Sequence, residues 1–277
     1  MSYLLSGAAS ELERLSVQAR FWEPAGKSLL AQLAPPPGAR AADVGCGTLG
    51  WLRLLSDWVG AGGKVIGTDI DPLLVDAAHR EVGAFGNANV EVAVDDLFDS
   101  RLVPESFDLV HARFMFASLG RFEEQLTAYL RLVVPGRWLV VEEPDSCTWR
   151  FDPVAPAAGR LIRLIRQAYA AGGGDFDVGE RLVSVVSGSG AFATVVAVES
   201  CVRALPPGHP YARMPLLLAE ALEPRLRDLV SADELGDLVR AAAEELASGR
   251  RWGLTFTLVQ VVLEKSKSAS FKGGLRS

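Results

Sequence analysis

Apolar positions follow two periods along this chain, and each period predicts an element type. Across residues 10–33, Leu12, Leu15, Ala19 and Trp22 recur at three- and four-residue spacing, the signature of an amphipathic helix. Ser10 with Glu13 three residues on has the form of a capping box. Pro35-Pro36-Pro37-Gly38 then stops the helix. Beyond it come short apolar runs bounded by turn residues: Ala41–Val44, Lys64–Thr68, Asn89–Val94, Phe107–His111 and Trp138–Val141. Each is too short for a helix and reads as a strand. Helical stretches separate them: one from Trp51, one from Pro72 to about Val82, one from Arg121 to Val133. Strand and helix in alternation predict a parallel sheet.

The later pattern is less regular. Leu161, Leu164, Ile165 and Ala168 share one face of a helix within 153–171, and Gly172-Gly173-Gly174-Asp175 turns the chain. Val178–Val186 reads as another helix on the sheet, followed by Gly190-Ala191-Phe192. Valine alternation makes Thr194–Ala204 a sixth strand. Pro206-Pro207-Gly208 opens an insertion to about Arg251 with helices near 211–222 and 231–247, and Leu254–Leu263 is the last strand. The expected segments are an N-terminal helical piece (1–34), a main domain (35–264) with helical insertions near 153–175 and 205–250, and a polar, disordered tail (265–277).

Composition changes this picture only by exclusion. The 277 residues carry a net charge of −6, and an acidic chain without a basic stripe does not suit nucleic acid. Cys46, Cys147 and Cys201 show no paired spacing, which fits a reducing cytoplasm and gives no zinc motif. The N-terminus lacks the form of a signal peptide. No uncharged apolar run reaches the roughly 18 residues that span a membrane.

The chemistry concentrates between Arg40 and Asp71. A strand breaks into Gly45-Cys46-Gly47-Thr48-Leu49-Gly50, a helix follows, and the second strand ends on Asp69. Strand, glycine turn, helix, strand and acid form a mononucleotide-binding unit, with the acid placed for two ribose hydroxyls. Gly45-x-Gly47-x-x-Gly50 with Asp69 fits a dinucleotide such as NAD. Asp43, two residues before the first glycine, points elsewhere. An acid there would repel a pyrophosphate but suits a ligand carrying an amine.

Asp43-x-Gly45-x-Gly47 resembles motif I of the class I methyltransferases, which bind S-adenosylmethionine (SAM). Leu49 stands where that family has a third glycine, with Gly50 beside it. Further features fall in family order over residues 38–145. They are Asp69, then Asp96-Leu97 after the third strand, then Phe107-Asp108-Leu109-Val110, then Pro135-Gly136 before the fifth strand, where Arg137 replaces a second glycine. The resemblance implies a Rossmann-like, doubly wound seven-stranded α/β sheet with a helical cap, its last strand inserted antiparallel between strands five and six. It implies SAM as cofactor and S-adenosylhomocysteine as product. Asp43, Gly45, Cys46, Gly47, Asp69, Ile70, Asp96, Leu97 and His111 are the implied cofactor contacts. Asp96 would accept from the adenine amine while the Leu97 N–H meets the ring. The N-terminal helix would be a lid, with Arg14 and Gln18 facing the pocket and Arg113 and Glu143 on the acceptor side.

Methyl transfer from SAM is an in-line displacement and needs orientation and a dry site more than a nucleophile. A base is required only if the acceptor must lose a proton. His111 is the one histidine at the mouth of the sheet and is the candidate base; the other role open to it is lining the adenosine. Relatives with a His-Ala-Arg run carry a further histidine at the position of Ser118. Glu142, Glu143 and Asp145 form one acidic loop without a second cluster, so no metal is expected. The leading expectation is methyl transfer to the O, N or C atom of a small organic molecule, a natural-product intermediate of the type handled in bacterial secondary metabolism. The resemblance admits a homodimer, without nucleic acid or membrane as partner. Two alternatives stay open: a SAM-binding protein of this fold that performs a non-methyl reaction such as cyclisation, and an NAD-dependent oxidoreductase.

Overall fold

A computed structural model describes residues 9–48, 50–86, 88–187 and 193–267. Leu49, the Gly190-Ala191-Phe192 turn, the tail from 268 and the Ser10 side chain lie outside the described residues. Helix and strand alternate through α1 (Ala9–Leu30), β1 (Arg40–Val44), α2 (Leu52–Val59), β2 (Lys64–Asp69), α3 (Pro72–Phe85) and β3 (Val90–Val94); only a short 3₁₀ turn separates β3 from β4 (Phe107–Arg113). A short α4 (Met115–Leu119), α5 (Phe122–Leu132) and a long β5 (Val133–Asp145) follow. The remainder is β6 (Arg150–Asp152), α6 (Pro156–Ala171), α7 (Leu182–Ser187), β7 (Ala193–Cys201), β8 (Ala204–Leu205), α8 (Met214–Ala221), α9 (Glu223–Leu226), α10 (Ala232–Ala247), β9 (Trp252–Leu254) and β10 (Thr257–Lys265).

Seven strands join in the order β3-β2-β1-β4-β5-β10-β7. The first five pair in parallel. β10 runs antiparallel between β5 and β7, at the position expected for the last strand. The centre of the sheet is buried on both faces, which is why β1 reads as a near-continuous apolar run, whereas the edge strand β7 alternates half-buried and exposed. One hydrophobic cluster gathers Trp22, Val44, Val110, Leu130, Val141 and the cap residues; a second, on the other face, gathers Leu29, Trp51, Leu55, Val65 and Val140. The Asp71 side chain caps α3 by accepting from Leu73 N, with Pro72 in the first helical position.

Three features depart from expectation. Pro135-Gly136 does not end an element. It lies inside β5, where the pairing with β4 slips between Phe107 and Leu109 and Gly136 adopts φ +78°. A second sheet, β6-β9-β8, pairs β9 with β6, about a hundred residues earlier in the chain, and with β8, about fifty earlier. The N-terminal helix is not a detachable lid over its whole length: Trp22 and Leu29 are core residues, and Gly26 sits against Trp51 and Leu54 with no room for a Cβ. Only the first part of α1, from Arg14 to Ala19, lies over the cavity described next.

Candidate active site

The main cavity, about 180 Å³, opens at the C-terminal ends of β1, β2 and β4, where ligands bind in open α/β sheets. The glycine turn forms its floor. Gly45 N and Cys46 N both donate to Thr68 O, 2.8 and 2.9 Å away, tying the turn to β2. Gly45 has φ +71°, and a Cβ there would lie 2.3 Å from Met115 Sδ. Gly50 has φ +37°, and its Cβ would lie 2.4 Å from Asp43 Oδ2 and 2.5 Å from Cys46 O. The glycine one place later than the family's third is therefore required by the close approach of Asp43.

Asp69 ends β2 and spans the turn: Oδ2 accepts from Gly47 N and Oδ1 from Asp71 N, both at 3.0 Å. Burial pushes its pKa up, against the lowering effect of those backbone donors. The Ile70 N–H also bonds this carboxylate, and with two oxygens on a cavity-lining residue Asp69 can still accept from a ligand that brings hydroxyl donors. Asp96 accepts from Phe98 N at 2.9 Å and caps a short 3₁₀ turn that holds Leu97 at the cavity wall. Ile70 also lines the cavity. Cys46 is buried there, and burial, then the charges of Asp43 and Asp69, raise its thiol pKa well above the ordinary value. It packs rather than reacts.

Strand register explains the charged line beneath the turn. Asp43 on β1 lies beside His111 on β4, and Glu142 on β5 lies between Arg113 on β4 and Gln260 on β10. His111 Nδ1 is 2.7 Å from Asp43 Oδ1, and Nε2 is 3.1 Å from Glu142 Oε2. Asp43 Oδ2 accepts from Trp51 N at 2.8 Å, and the Trp51 ring stacks on His111 at 3.8 Å. Gln260 donates to Glu142 Oε1. Burial pulls the His111 pKa down, but the charges and hydrogen bonds of Asp43 and Glu142 together outweigh it, and the net shift is upward. With a carboxylate oxygen facing each nitrogen, the ring is a doubly donating imidazolium. It has no free lone pair for an acceptor's proton, so the base role expected of His111 does not fit this geometry.

Glu143 also differs from expectation. It is fully buried, and its oxygens accept from Phe116 N (2.8 Å) and Ala117 N (3.0 Å). It clamps the start of α4 and is absent from the cavity wall, where Pro144 stands instead. Desolvation raises its pKa to about 8 although those N–H donors pull it down. Asp145 accepts from Cys147 N. Among the described residues no group of three His, Cys, Asp or Glu converges as a metal site.

Arg14, Gln18 and Arg113 do line the cavity. The far wall is apolar and comes from sequence-distant elements: Phe114, Met115, Tyr169, Phe176, Leu218 and Phe256. Most carry no local motif. Phe256 touches Trp22, Phe114, Trp149 and Phe176 and ties β10 to the cap. Tyr169 bonds Ser118, and burial pushes its pKa up to about 12.

Residues 41–136 match a family described as a methyltransferase domain. A nocamycin O-methyltransferase of Saccharothrix syringae is 28% identical over 252 residues, covering 90% of this chain and 81% of the relative. An aklanonic acid methyltransferase of Streptomyces sp. (strain C5) is 29% identical over 155 residues, covering 56% and 70%. In three dimensions the chain is similar to a geranyl diphosphate methyltransferase solved with SAM, at TM-score 0.54 and 17% identity over 94% of this chain and 92% of that one. That likeness is one of fold.

Proposed function

We propose that the chain, whose residues 41–136 match a methyltransferase domain, is a class I SAM-dependent methyltransferase and that its main cavity holds SAM against a small, largely apolar organic acceptor, an intermediate of secondary metabolism. The observation that carries this reading is the joining, in one cavity, of the glycine turn and Asp69 with an aromatic far wall built by the cap. Asp69 would accept from the ribose hydroxyls, Asp96 from the adenine amine, and the Leu97 backbone would meet the ring. Asp43 acts at one remove: its carboxylate fixes Trp51 N and His111, and so shapes the turn. These assignments set the dinucleotide reading aside.

Bound SAM supplies a methyl group on a positively charged sulfur, ready for in-line displacement. The protein's work is orientation and exclusion of water. Leu15 of α1 reaches over the turn, its Cδ1 3.3 Å from where a Cβ of Gly47 would be. Phe114, Phe176, Leu218 and Phe256 make the opposite side dry. His111 holds its protons between Asp43 and Glu142 and keeps the ends of β1, β4 and β5 in register rather than taking a proton from the acceptor.

Calorimetric titration with S-adenosylhomocysteine, run beside NADH, tests the reading. Micromolar binding of the first alone is expected. Binding of NADH alone would overturn it.

A further inference from the structure

Among the charged groups on the cavity wall, Arg113 is the one whose donors are not used. Its side chain is 8% exposed, and its ionic partner Glu142 is 3.7 Å away, beyond hydrogen-bond reach. Glu142 is already engaged by His111 and Gln260. The Phe114 ring, 5.7 Å off, is the guanidinium's other neighbour. Arg14 is the contrast: Nε and Nη2 grip both oxygens of Glu11 at 2.7 and 2.6 Å, and Nη1 donates to Gln18 at 2.8 Å. Five N–H donors held out of water without acceptors are costly. Among the described residues, the sealed, unpartnered side-chain nitrogens are Trp51 Nε1 and Arg251 Nε, not those of Arg113. Arg113 donors open onto the cavity.

Position and charge narrow what they meet. Asp69 on β2 and the glycine turn on β1 mark the cofactor end; Arg113 lies on the next strand, β4, beside Phe114 of the aromatic wall. Neither of the two candidate bases beside Arg113 is free to take a proton. His111 has both nitrogens engaged, and Glu143 faces backbone N–H groups away from the cavity.

We infer that Arg113 anchors an acceptor of the carboxylate class, which enters already ionised and is methylated on oxygen. This rests on the methyl-transfer reading above. A carboxylate oxygen lone pair forms the new C–O bond as the methyl's C–S bond breaks, and the S–C electron pair leaves on sulfur. Carboxylate and sulfonium become a neutral ester and a neutral thioether, and no proton has to be removed.

The amino-acid end of the cofactor also carries a carboxylate, and the experiment separates the two sources. The full-length protein is saturated with S-adenosylhomocysteine and titrated calorimetrically with 1-naphthoate and, separately, 1-naphthamide. The carboxylate is expected to bind about tenfold more tightly than the amide, as charge-assisted hydrogen bonds require. Arg113→Gln should shrink that preference to roughly threefold or less while Arg113→Lys keeps part of it. S-adenosylhomocysteine affinity should stay within about twofold of wild type in Arg113→Gln, since the removed bonds are to the acceptor. Equal binding of naphthoate and naphthamide to the wild-type complex, or binding of neither, overturns the inference, and this comparison needs no variant to fold. So does a variant that loses S-adenosylhomocysteine while retaining 5′-methylthioadenosine, which lacks the amino-acid end. If the wild type binds no S-adenosylhomocysteine, the cofactor reading itself falls, and the inference with it.

Discussion

A single buried side chain here acts through the partners it satisfies. Asp69 is the plainest case. Removing its carboxylate in Asp69→Ala takes away the proposed ribose acceptor and also frees Gly47 N and Asp71 N. S-adenosylhomocysteine affinity should fall by about 1–3 kcal/mol, the scale of charge-assisted hydrogen bonds; unchanged affinity in calorimetry would show the ribose contact misassigned. His111 is the second case. Because two carboxylates face it, His111→Gln leaves buried charge uncompensated, and a loss of about 3–5 kcal/mol in urea unfolding is expected. The imidazole ¹⁵N shifts of the wild type should report both nitrogens protonated at neutral pH. A ring titrating as an ordinary neutral base would contradict the doubly donating assignment.

At the scale of the element, the glycine turn is held by what crowds it. β1 delivers Asp43 under the turn, and α4 delivers Met115 against Gly45. Gly50→Ala would drive a Cβ into Asp43 Oδ2 and the Cys46 carbonyl at a positive φ. The turn must shift, so S-adenosylhomocysteine binding should weaken about tenfold or more, with a stability loss of roughly 1–3 kcal/mol. Gly60→Ala is the control: it also has a positive φ, but nothing lies within 4 Å of the added Cβ. It should carry the conformational cost alone, about 1–3 kcal/mol for its φ 68°, ψ −176° backbone, and leave ligand binding intact. Ligand affinity separates the two variants; a drop in both would mean that backbone conformation, not the contact with Asp43, governs the turn.

Over the whole molecule, two buried groups set a pH dependence. Glu143 titrates near 8 in the fold against 4.5 for an ordinary carboxyl, and His111 titrates above its ordinary 6.5. Between the ordinary and the folded values the native state holds protons that the unfolded chain has released. Their contribution to stability is therefore complete below the ordinary values and lost as pH rises through the folded ones. The thermal midpoint should fall between pH 6.5 and 8, on the order of 5 °C. His111→Gln should flatten part of that slope, and a midpoint that rises over this range would refute both assignments.

The local chemistry of the chain determined the alternating strands and helices, the capped start of α3 at Asp71-Pro72, and the glycine turn with Asp69 at the end of the next strand. Each depends on residues within about one element of one another, where period, turn chemistry and capping act directly. The order of the sheet, with β10 between β5 and β7, was legible only through the family resemblance, because no local pattern encodes which strands pair. Tertiary structure alone decided the rest. It closed both nitrogens of His111 between Asp43 and Glu142, turned Glu143 toward α4 and away from the cavity, and buried the latter half of α1 in the core. It also brought Tyr169, Phe176, Leu218 and Phe256 to one wall from four separate segments. Strand register across β1, β4 and β5 sets which carboxylate meets which nitrogen. Register is fixed by packing of the whole sheet, so a residue's type announces that it can carry charge but not which partner will consume it.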